Sequence, residues 1–225
     1  MCFNAKVSLS VFSIGVICLG IIFSRKMYFV GLFYLSVVLM QLLEYFAHLS
    51  LDNHNLELNK QMAFGILLLI FLQPVIFSLY AGLIKFKNAS YMYTITPIIA
   101  IFTGITYFLY KSAESSNMLQ ISYLNKSCNS NICRLEWSFF KSNKILSLLF
   151  LLGYFFLFTF TSQYFKLYKQ FKNSFGILMF LLAISFVYMT FVDGLPSDKF
   201  PFAAFGSIWC ILATLVGPYF VFFTR

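Results

Sequence analysis

The amino-acid sequence predicts an all-α polytopic membrane protein, and three observations support this fold class. Hydrophobic residues make up 60% of the chain and charged residues only 10%, so a water-soluble domain could not cover its apolar surface. Phenylalanine alone contributes 31 of the 225 residues. The apolar residues are also gathered in seven runs, each close to the roughly 20 residues that a helix needs to cross a bilayer. We therefore predict one transmembrane domain, residues 1–225, that forms a bundle of seven helices.

The first predicted helix spans residues 7–24. A signal peptide is the alternative for this run, but no small-residue cleavage site follows it. The basic pair Arg25–Lys26 also lies after the run, whereas a signal peptide carries its basic residues before the apolar region. We therefore interpret the run as a membrane helix.

The second predicted helix spans residues 28–50 and ends in a polar stretch. Gln41, Glu44 and His48 in this stretch are spaced three and then four residues apart, which places them on one face of a helix. A carboxylate in a membrane helix costs about 2.5–3.5 kcal/mol on insertion scales, so it is rare without a partner or a water-filled cavity. This face is the first candidate site.

Five further helices complete the predicted bundle. They span residues 61–84, 91–110, 145–165, 175–192 and 202–223, with a long polar loop at residues 111–144. Pro74 lies within the third run and predicts a kink there. The fourth run carries a stripe of hydroxyl groups, formed by Thr96, Thr103, Thr106, Tyr107 and Tyr110. Such hydroxyls either line a polar cavity or bond to their own backbone.

The distribution of lysine and arginine predicts that the N-terminus lies outside and the C-terminus inside. With this orientation the short inner segments hold seven basic residues and the short outer loops hold two, as the positive-inside rule requires. The seven are Arg25, Lys26, Lys85, Lys87, Lys166, Lys169 and Lys172, and the two are Lys60 and Lys199. The long loop would then face the exterior.

Three cysteines and one asparagine are candidates for chemistry on the outer side. Cys2, Cys128 and Cys133 would face an oxidising compartment, where one disulfide is expected and any of the three pairings is open. Asn125 begins an N-glycosylation sequon in the long loop. Cys18 lies in an apolar run and is expected to act as a small packing residue.

Other polar residues fall at the same predicted depth as Glu44. They include Tyr107 of the fourth helix, Tyr188 of the sixth and Asp193 at the end of the sixth. If these side chains converge, they form a polar binding cavity that opens to the outside. If they do not, Glu44 only packs helices together, and Tyr107 and Tyr188 belong to an interfacial belt of aromatic residues.

The residue inventory argues against several other sites. A metal hydrolase needs three or more His, Asp or Glu ligands, and the chain has only two histidines, His48 and His54. We therefore expect neither a metal nor a cofactor. The net charge of +9 is spread in short clusters between apolar runs, which indicates topology signals and not a surface for nucleic acid.

The first two predicted helices and the head before them, about a quarter of the chain, resemble a family of small multi-pass membrane proteins. The resemblance rests on Met1-Cys2-Phe3-Asn4-Ala5, on Ser8-Leu9-Ser10, and on the pair Gln41 and Glu44. The family is associated with large DNA viruses and with bacteria, and it commonly carries a tryptophan where this chain has His48 or Leu51. The resemblance implies that the head around Cys2 and Asn4 packs beside the face of the second helix. It implies no activity.

The sequence therefore predicts an integral membrane protein whose partners are the lipid bilayer and a small solute or ion. The first interpretation is a transporter or channel, with proton linkage as one possibility and Glu44 as its central carboxylate. The alternative is a receptor-like or structural protein of a host membrane or virion envelope, in which the loop at residues 111–144 binds a partner. An enzyme is the third interpretation and the one least favoured.

Overall fold

The structure of the protein is a computed structural model in which residues 5–123, 135–165, 217–218 and 221–222 are described. Within these residues the fold is a helical bundle with a small two-stranded sheet. Its five α-helices are α1 (Ala5–Ser24), α2 (Tyr28–Asp52), α3 (Leu56–Leu79), α4 (Ala89–Ser115) and α5 (Lys144–Tyr164). All five are long and apolar enough to cross a membrane. The predicted helices at residues 175–192 and 202–223 lie outside the described residues, apart from four positions of the latter.

Asparagine caps extend three helices beyond the apolar runs. The side chain of Asn55 accepts a hydrogen bond from the Leu58 amide, so α3 begins before its apolar run. Asn88 accepts from the Tyr91 amide at 2.8 Å and starts α4 in the same way. Asn143 accepts from two amides of the first turn of α5. The helix α4 also continues to Ser115, inside the segment predicted as a loop.

The rest of that predicted loop contains a folded element. Strand β1 (Ile121–Tyr123) pairs antiparallel with β2 (Leu135–Trp137), with Ile121 opposite Trp137. A 3₁₀ turn, Ser138–Lys141, follows β2 and leads into α5. We call β1, β2 and this turn the cap, because they cover the bundle at the end where α2 and α4 finish.

Aromatic rings join the cap to the membrane helices. Phe71 of α3 stacks on Phe102 of α4 with ring centroids 5.4 Å apart, and Phe102 lies 5.1 Å from Phe150 of α5. Phe150 in turn lies 5.8 Å from Phe140 of the cap, whose ring is 6.2 Å from that of Trp137. Burying large rings removes much apolar surface from water and adds favourable ring contacts. The cap is therefore part of the same core as α3, α4 and α5.

Hydrogen bonds between helices stabilise the other end of this core. The Thr161 hydroxyl of α5 lies 2.8 Å from Ser78 of α3 and 2.7 Å from the Tyr91 hydroxyl of α4. The Tyr154 hydroxyl of α5 donates to the side-chain oxygen of Gln73, beside Pro74 in α3. Such bonds hold transmembrane helices together because lipid offers polar groups no alternative partner.

Helices α1 and α2 pack antiparallel through small residues. A Cβ built on Gly15 of α1 would lie 2.8 Å from Val38 of α2, and one built on Gly31 of α2 would lie 2.6 Å from the Phe23 ring. Part of the seventh apolar run joins this pair, since the Arg25 guanidinium donates to the Val221 carbonyl at 2.7 Å. Val221 belongs to the same buried apolar cluster as residues of α1 and α2.

Large apolar side chains cover the outside of the described bundle. Ile17 of α1 is 66% exposed, Ile101 of α4 is 65% exposed and Leu152 of α5 is 57% exposed. Many large apolar side chains exposed in this way are unfavourable in water but suit a hydrocarbon environment. The surface therefore agrees with the membrane-spanning lengths of the helices.

Candidate functional site

The polar face predicted for the second helix is a buried stripe in the structure. Gln41 and Glu44 have no solvent-exposed surface, and His48 is 1% exposed. Tyr34 and Val37 continue the same stripe toward the other end of α2, and both are buried. A Cβ built on Gly217 would meet the Tyr34 ring, so the stripe begins against a residue of the seventh apolar run. We call Gln41, Glu44 and His48 the polar stripe.

The polar stripe is connected to the exposed end of α2 through the cap. The Nδ1 atom of His48 lies 3.4 Å from the hydroxyl of Tyr123 in β1, and that hydroxyl donates to Oδ1 of Asp52 at 2.9 Å. Asp52 is the last residue of α2 and is exposed. His48, Tyr123 and Asp52 therefore form a chain from a buried imidazole to a carboxylate in water.

The hydrogens in this chain can be assigned by counting donors. A tyrosine hydroxyl carries one hydrogen, and that of Tyr123 is directed to Asp52. The contact with His48 is then a hydrogen bond only if Nδ1 of the imidazole is protonated and donates to the Tyr123 oxygen. Burial, followed by the hydrogen bond to Asp52, raises the pKa of Tyr123 well above its ordinary value. Tyr123 therefore keeps its hydrogen over the physiological range of pH.

The position of Tyr123 depends on an asparagine side chain. The carboxamide of Asn59, which is 3% exposed, accepts from the Ile121 amide at 2.8 Å and donates to the Ile121 carbonyl at 3.1 Å. The same nitrogen lies 3.1 Å from the Ser50 hydroxyl of α2. The amide therefore pairs with β1 as a neighbouring strand would, and it links the cap to α2 and α3 at once.

A second buried carboxylate lies within the cap and is paired there with a lysine. Glu136 of β2 is 6% exposed and forms an ion pair with Lys141 at 2.6 Å. The Ser122 hydroxyl of β1 lies 3.4 Å from the other oxygen of Glu136. A buried ion pair is weak support for stability, but it fixes the geometry of the turn after β2.

Among the other predicted binding residues, Tyr107 lies in the described part of the chain. Tyr107 is 56% exposed on the surface of α4, so it does not share the buried environment of Glu44. In the hydroxyl stripe of α4, Thr103 and Thr106 donate to the carbonyls one turn earlier, at 2.8 Å each. Those hydroxyls therefore satisfy the helix backbone, which is the second of the two interpretations.

The remaining predicted residues lie outside the described part of the chain. These are Cys2, Asn4, Asn125, Cys128, Cys133, Tyr188 and Asp193. Cys18 is a buried free thiol, in agreement with a packing role. Across the described ranges, no group of three or more His, Cys, Asp or Glu side chains is arranged to hold a metal ion.

Sequence reasoning missed Asn59 and Tyr123, which connect the polar stripe to the cap. Asn59 lies 62 residues from Ile121 in the chain, and Tyr123 lies 71 residues from Asp52. The only signal for Asn59 in the sequence is an amide just before an apolar run. No signal pairs it with β1.

Comparison with known proteins finds no match among family models, curated proteins or solved structures. The resemblance to the Met-Cys-aromatic family therefore stays a prediction. The described part of the chain is a helical protein with five helices long and apolar enough to cross a membrane, and it contains a buried polar stripe.

Proposed function

We propose that the protein is a proton-linked transporter or channel for a small solute or ion, in which Glu44 exchanges its proton with the outer side. The observation that carries this proposal is the chain from the buried polar stripe through His48 and Tyr123 to exposed Asp52. A purely structural carboxylate would require a partner inside the membrane but would not require a connection to water.

The chain is suited to outward proton movement. His48 lies one helical turn from Glu44, on the same face of α2. In an outward transfer Nε2 of His48 takes the proton of Glu44, Nδ1 passes its hydrogen to the Tyr123 oxygen, and the Tyr123 hydroxyl passes its own to Asp52. His48 is then neutral with its hydrogen on Nε2, and the high pKa of Tyr123 requires the transfers into and out of its hydroxyl to be concerted.

The topology that fits this function is the predicted one, with seven spans and the N-terminus outside. The contacts of Gly217 with Tyr34 and of Val221 with Arg25 support a seventh span packed against α1 and α2. With the N-terminus outside, the cap and Asp52 face the exterior, and Arg25 and Lys85 face the interior, in agreement with the positive-inside rule.

Proton flux into liposomes tests the proposal. The full chain is reconstituted with a pH-sensitive dye inside, and an imposed pH gradient is followed with and without a potassium-set membrane potential. We expect flux above that of empty liposomes, its loss in Glu44→Gln, and a reduction in Tyr123→Phe and Asp52→Asn.

Glu57→Gln is the matched control, because Glu57 is an exposed carboxylate at the same end of the bundle. It should conduct as the unchanged protein does. If folded Glu44→Gln showed the same proton flux as the unchanged protein, the proposal would be contradicted.

The second candidate function, partner binding by the outer loop, has its own support. The cap is folded onto the bundle by the Asn59 carboxamide and by the ring of Phe140. A rigid outer element of this kind is suited to recognition. This second function would be favoured if the protein showed no proton flux and bound a partner equally well with and without the Glu44→Gln substitution.

A further inference from the structure

Two turns at the end of the bundle opposite the cap carry exposed basic residues. Arg25 and Lys26 lie in the turn between α1 and α2, and Lys85 and Lys87 lie in the connection between α3 and α4. All four side chains are exposed. We call these four residues the basic rim.

The basic rim has no acidic residue near it in the sequence. Asp and Glu are absent from residues 1–43 and from residues 58–113, the two stretches that contain the rim. The lysines of two ion pairs, Lys111 with Glu114 and Lys141 with Glu136, lie at the cap end instead. The rim therefore differs in charge from the opposite end of the bundle.

The basic rim lies where exposed apolar side chains give way to charged ones. Leu83 and Ile84, directly before Lys85, are exposed and apolar. Tyr28 of α2 and Tyr93 of α4 are also exposed near this end. Tyrosine is enriched where the hydrocarbon of a membrane meets its polar head groups. These neighbours place the rim at the level of the head groups.

Two lysines of the rim adopt a backbone conformation that lysine does not favour. Lys26 has a φ of 59° and Lys87 a φ of 46°, in the left-handed region where glycine is the usual residue. Lys26 ends α1 in this conformation, and its amide donates to the Phe23 carbonyl at 2.9 Å. A glycine would form either turn with less strain, so a lysine at both positions points to a role for the side chain outside the turn.

Aromatic rings support the third lysine of the rim. The Nζ atom of Lys85 lies 5.4 Å from the centroid of the Phe86 ring, a distance at which a cation is attracted to the ring face. Phe86 in turn stacks on Phe165 at the end of α5, with ring centroids 4.3 Å apart. These contacts hold the ammonium group of Lys85 at the edge of the bundle.

We propose that the basic rim binds the phosphate head groups of anionic phospholipids. Lysine and arginine side chains donate charge-assisted hydrogen bonds to phosphate oxygens, and the exposed apolar side chains before Lys85 would contact the acyl chains of the same lipids. Because a rim meets a layer of head groups, its four charges need not converge on one point. The inference goes beyond the proposed function, since it concerns the other end of the bundle and requires no transport.

Lipid binding to the purified full chain tests the proposal. The chain in neutral detergent is titrated with phosphatidylglycerol or with zwitterionic phosphatidylcholine of the same acyl chains. Bound lipid is counted by native mass spectrometry, and thermal unfolding is followed in parallel. We expect saturable and tighter binding of phosphatidylglycerol, a higher unfolding temperature in its presence, and a weakening of both effects by salt. Glycerol 3-phosphate should have no such effect, because it has no acyl chains to place it at the rim.

Glycine variants separate lipid binding from a structural role. Lys26→Gly and Lys87→Gly suit the left-handed backbone, so each should unfold in detergent alone at the temperature of the unchanged protein or above it. Each should weaken phosphatidylglycerol binding about fivefold, the effect of one basic residue near an anionic surface. If a glycine variant fails to fold, Lys26→Asn and Lys87→Asn remove the same charge with a residue that also tolerates this conformation.

Lys111→Gln and Asn117→Gly are the matched controls at the cap end. The first removes a positive charge and the second relieves a positive φ of 54°, and both should bind phosphatidylglycerol as the unchanged protein does. Equal affinity of the unchanged chain for the two lipids, or undiminished phosphatidylglycerol binding when Lys26 and Lys87 are both replaced, would overturn the proposal. Equally tight binding of glycerol 3-phosphate would show a site for free phosphate and would also overturn it.

Discussion

Replacing Asn59 with alanine should release the cap from the bundle. The change removes three hydrogen bonds, two with the backbone of Ile121 and one with Ser50. Ile121 is only 2% exposed, so water does not readily replace the lost partners. With about 1 kcal/mol for each bond and a further cost for backbone groups left unpaired, we expect a loss of about 2–4 kcal/mol.

Hydrogen–deuterium exchange gives the direct readout of this change. In Asn59→Ala, peptides that contain β1 should lose protection, while those of α5 keep it, because the aromatic core of α3, α4 and α5 does not involve Asn59. Asn59→Asp should perform no better, since a carboxylate oxygen would face the Ile121 carbonyl where the amide donates.

The matched control is Asn53→Ala, an exposed asparagine in the turn between α2 and α3. It should leave exchange in β1 unchanged. If β1 were equally protected from exchange in Asn59→Ala and in the unchanged protein, the cap would not depend on the hydrogen bonds of Asn59 and this reasoning would be refuted.

Three further predictions concern the cap and the helix contacts, each measured by unfolding in detergent. Tyr123→Phe should lower the free energy of unfolding by about 1 kcal/mol. The raised pKa of Tyr123 stabilises the fold below about pH 10, and this stabilisation is lost as the pH rises further, so the unchanged protein should lose more stability in alkali than the variant does. The same loss of stability with rising pH in both proteins would contradict this. Gly153→Ala should cost about 1–3 kcal/mol, because its Cβ would lie 2.6 Å from the Phe102 ring, whereas Gly104→Ala, with open space, should cost nothing. Thr161→Val should cost about 1–2 kcal/mol by removing bonds to two other helices, and an unchanged unfolding temperature would be the contrary result.

The helices could be predicted from the sequence because length and apolar composition are local properties. Each described span coincides with a predicted run, and the differences lie at the ends, where asparagine caps such as Asn55 and Asn88 add residues. The polar face of α2 was also visible, since spacing alone places Gln41, Glu44 and His48 together. Their burial is a result of packing, which the sequence leaves open.

The cap could not be predicted, because it depends on short strands and on contacts between residues far apart in the chain. Its strands have three residues each, too few for an alternating pattern to be recognised. The segment around Trp137 and Phe140 is polar on average, so the short apolar stretch that contains them does not stand out in the sequence. The bond between Tyr123 and Asp52 depends on this fold, so the connection from the polar stripe to the exposed end of α2 appears only in three dimensions.

The hydroxyl stripe of α4 illustrates a pattern that has two meanings. Threonines at helical spacing can line a cavity or bond to the backbone of their own helix, and both arrangements have the same sequence. Thr103 and Thr106 adopt the second arrangement, and Tyr107 is exposed. The functional proposal therefore does not depend on the hydroxyl stripe of α4.

Infrared difference spectroscopy of the reconstituted chain tests the central claim most directly, because it observes the Glu44 carboxyl group itself. After a pH change on the outer side, the account predicts a protonated-carboxyl band that changes in the unchanged protein, disappears in Glu44→Gln and responds more slowly in Tyr123→Phe. Identical difference spectra for the unchanged protein and Glu44→Gln would show that Glu44 exchanges no proton with the exterior, and would contradict the account.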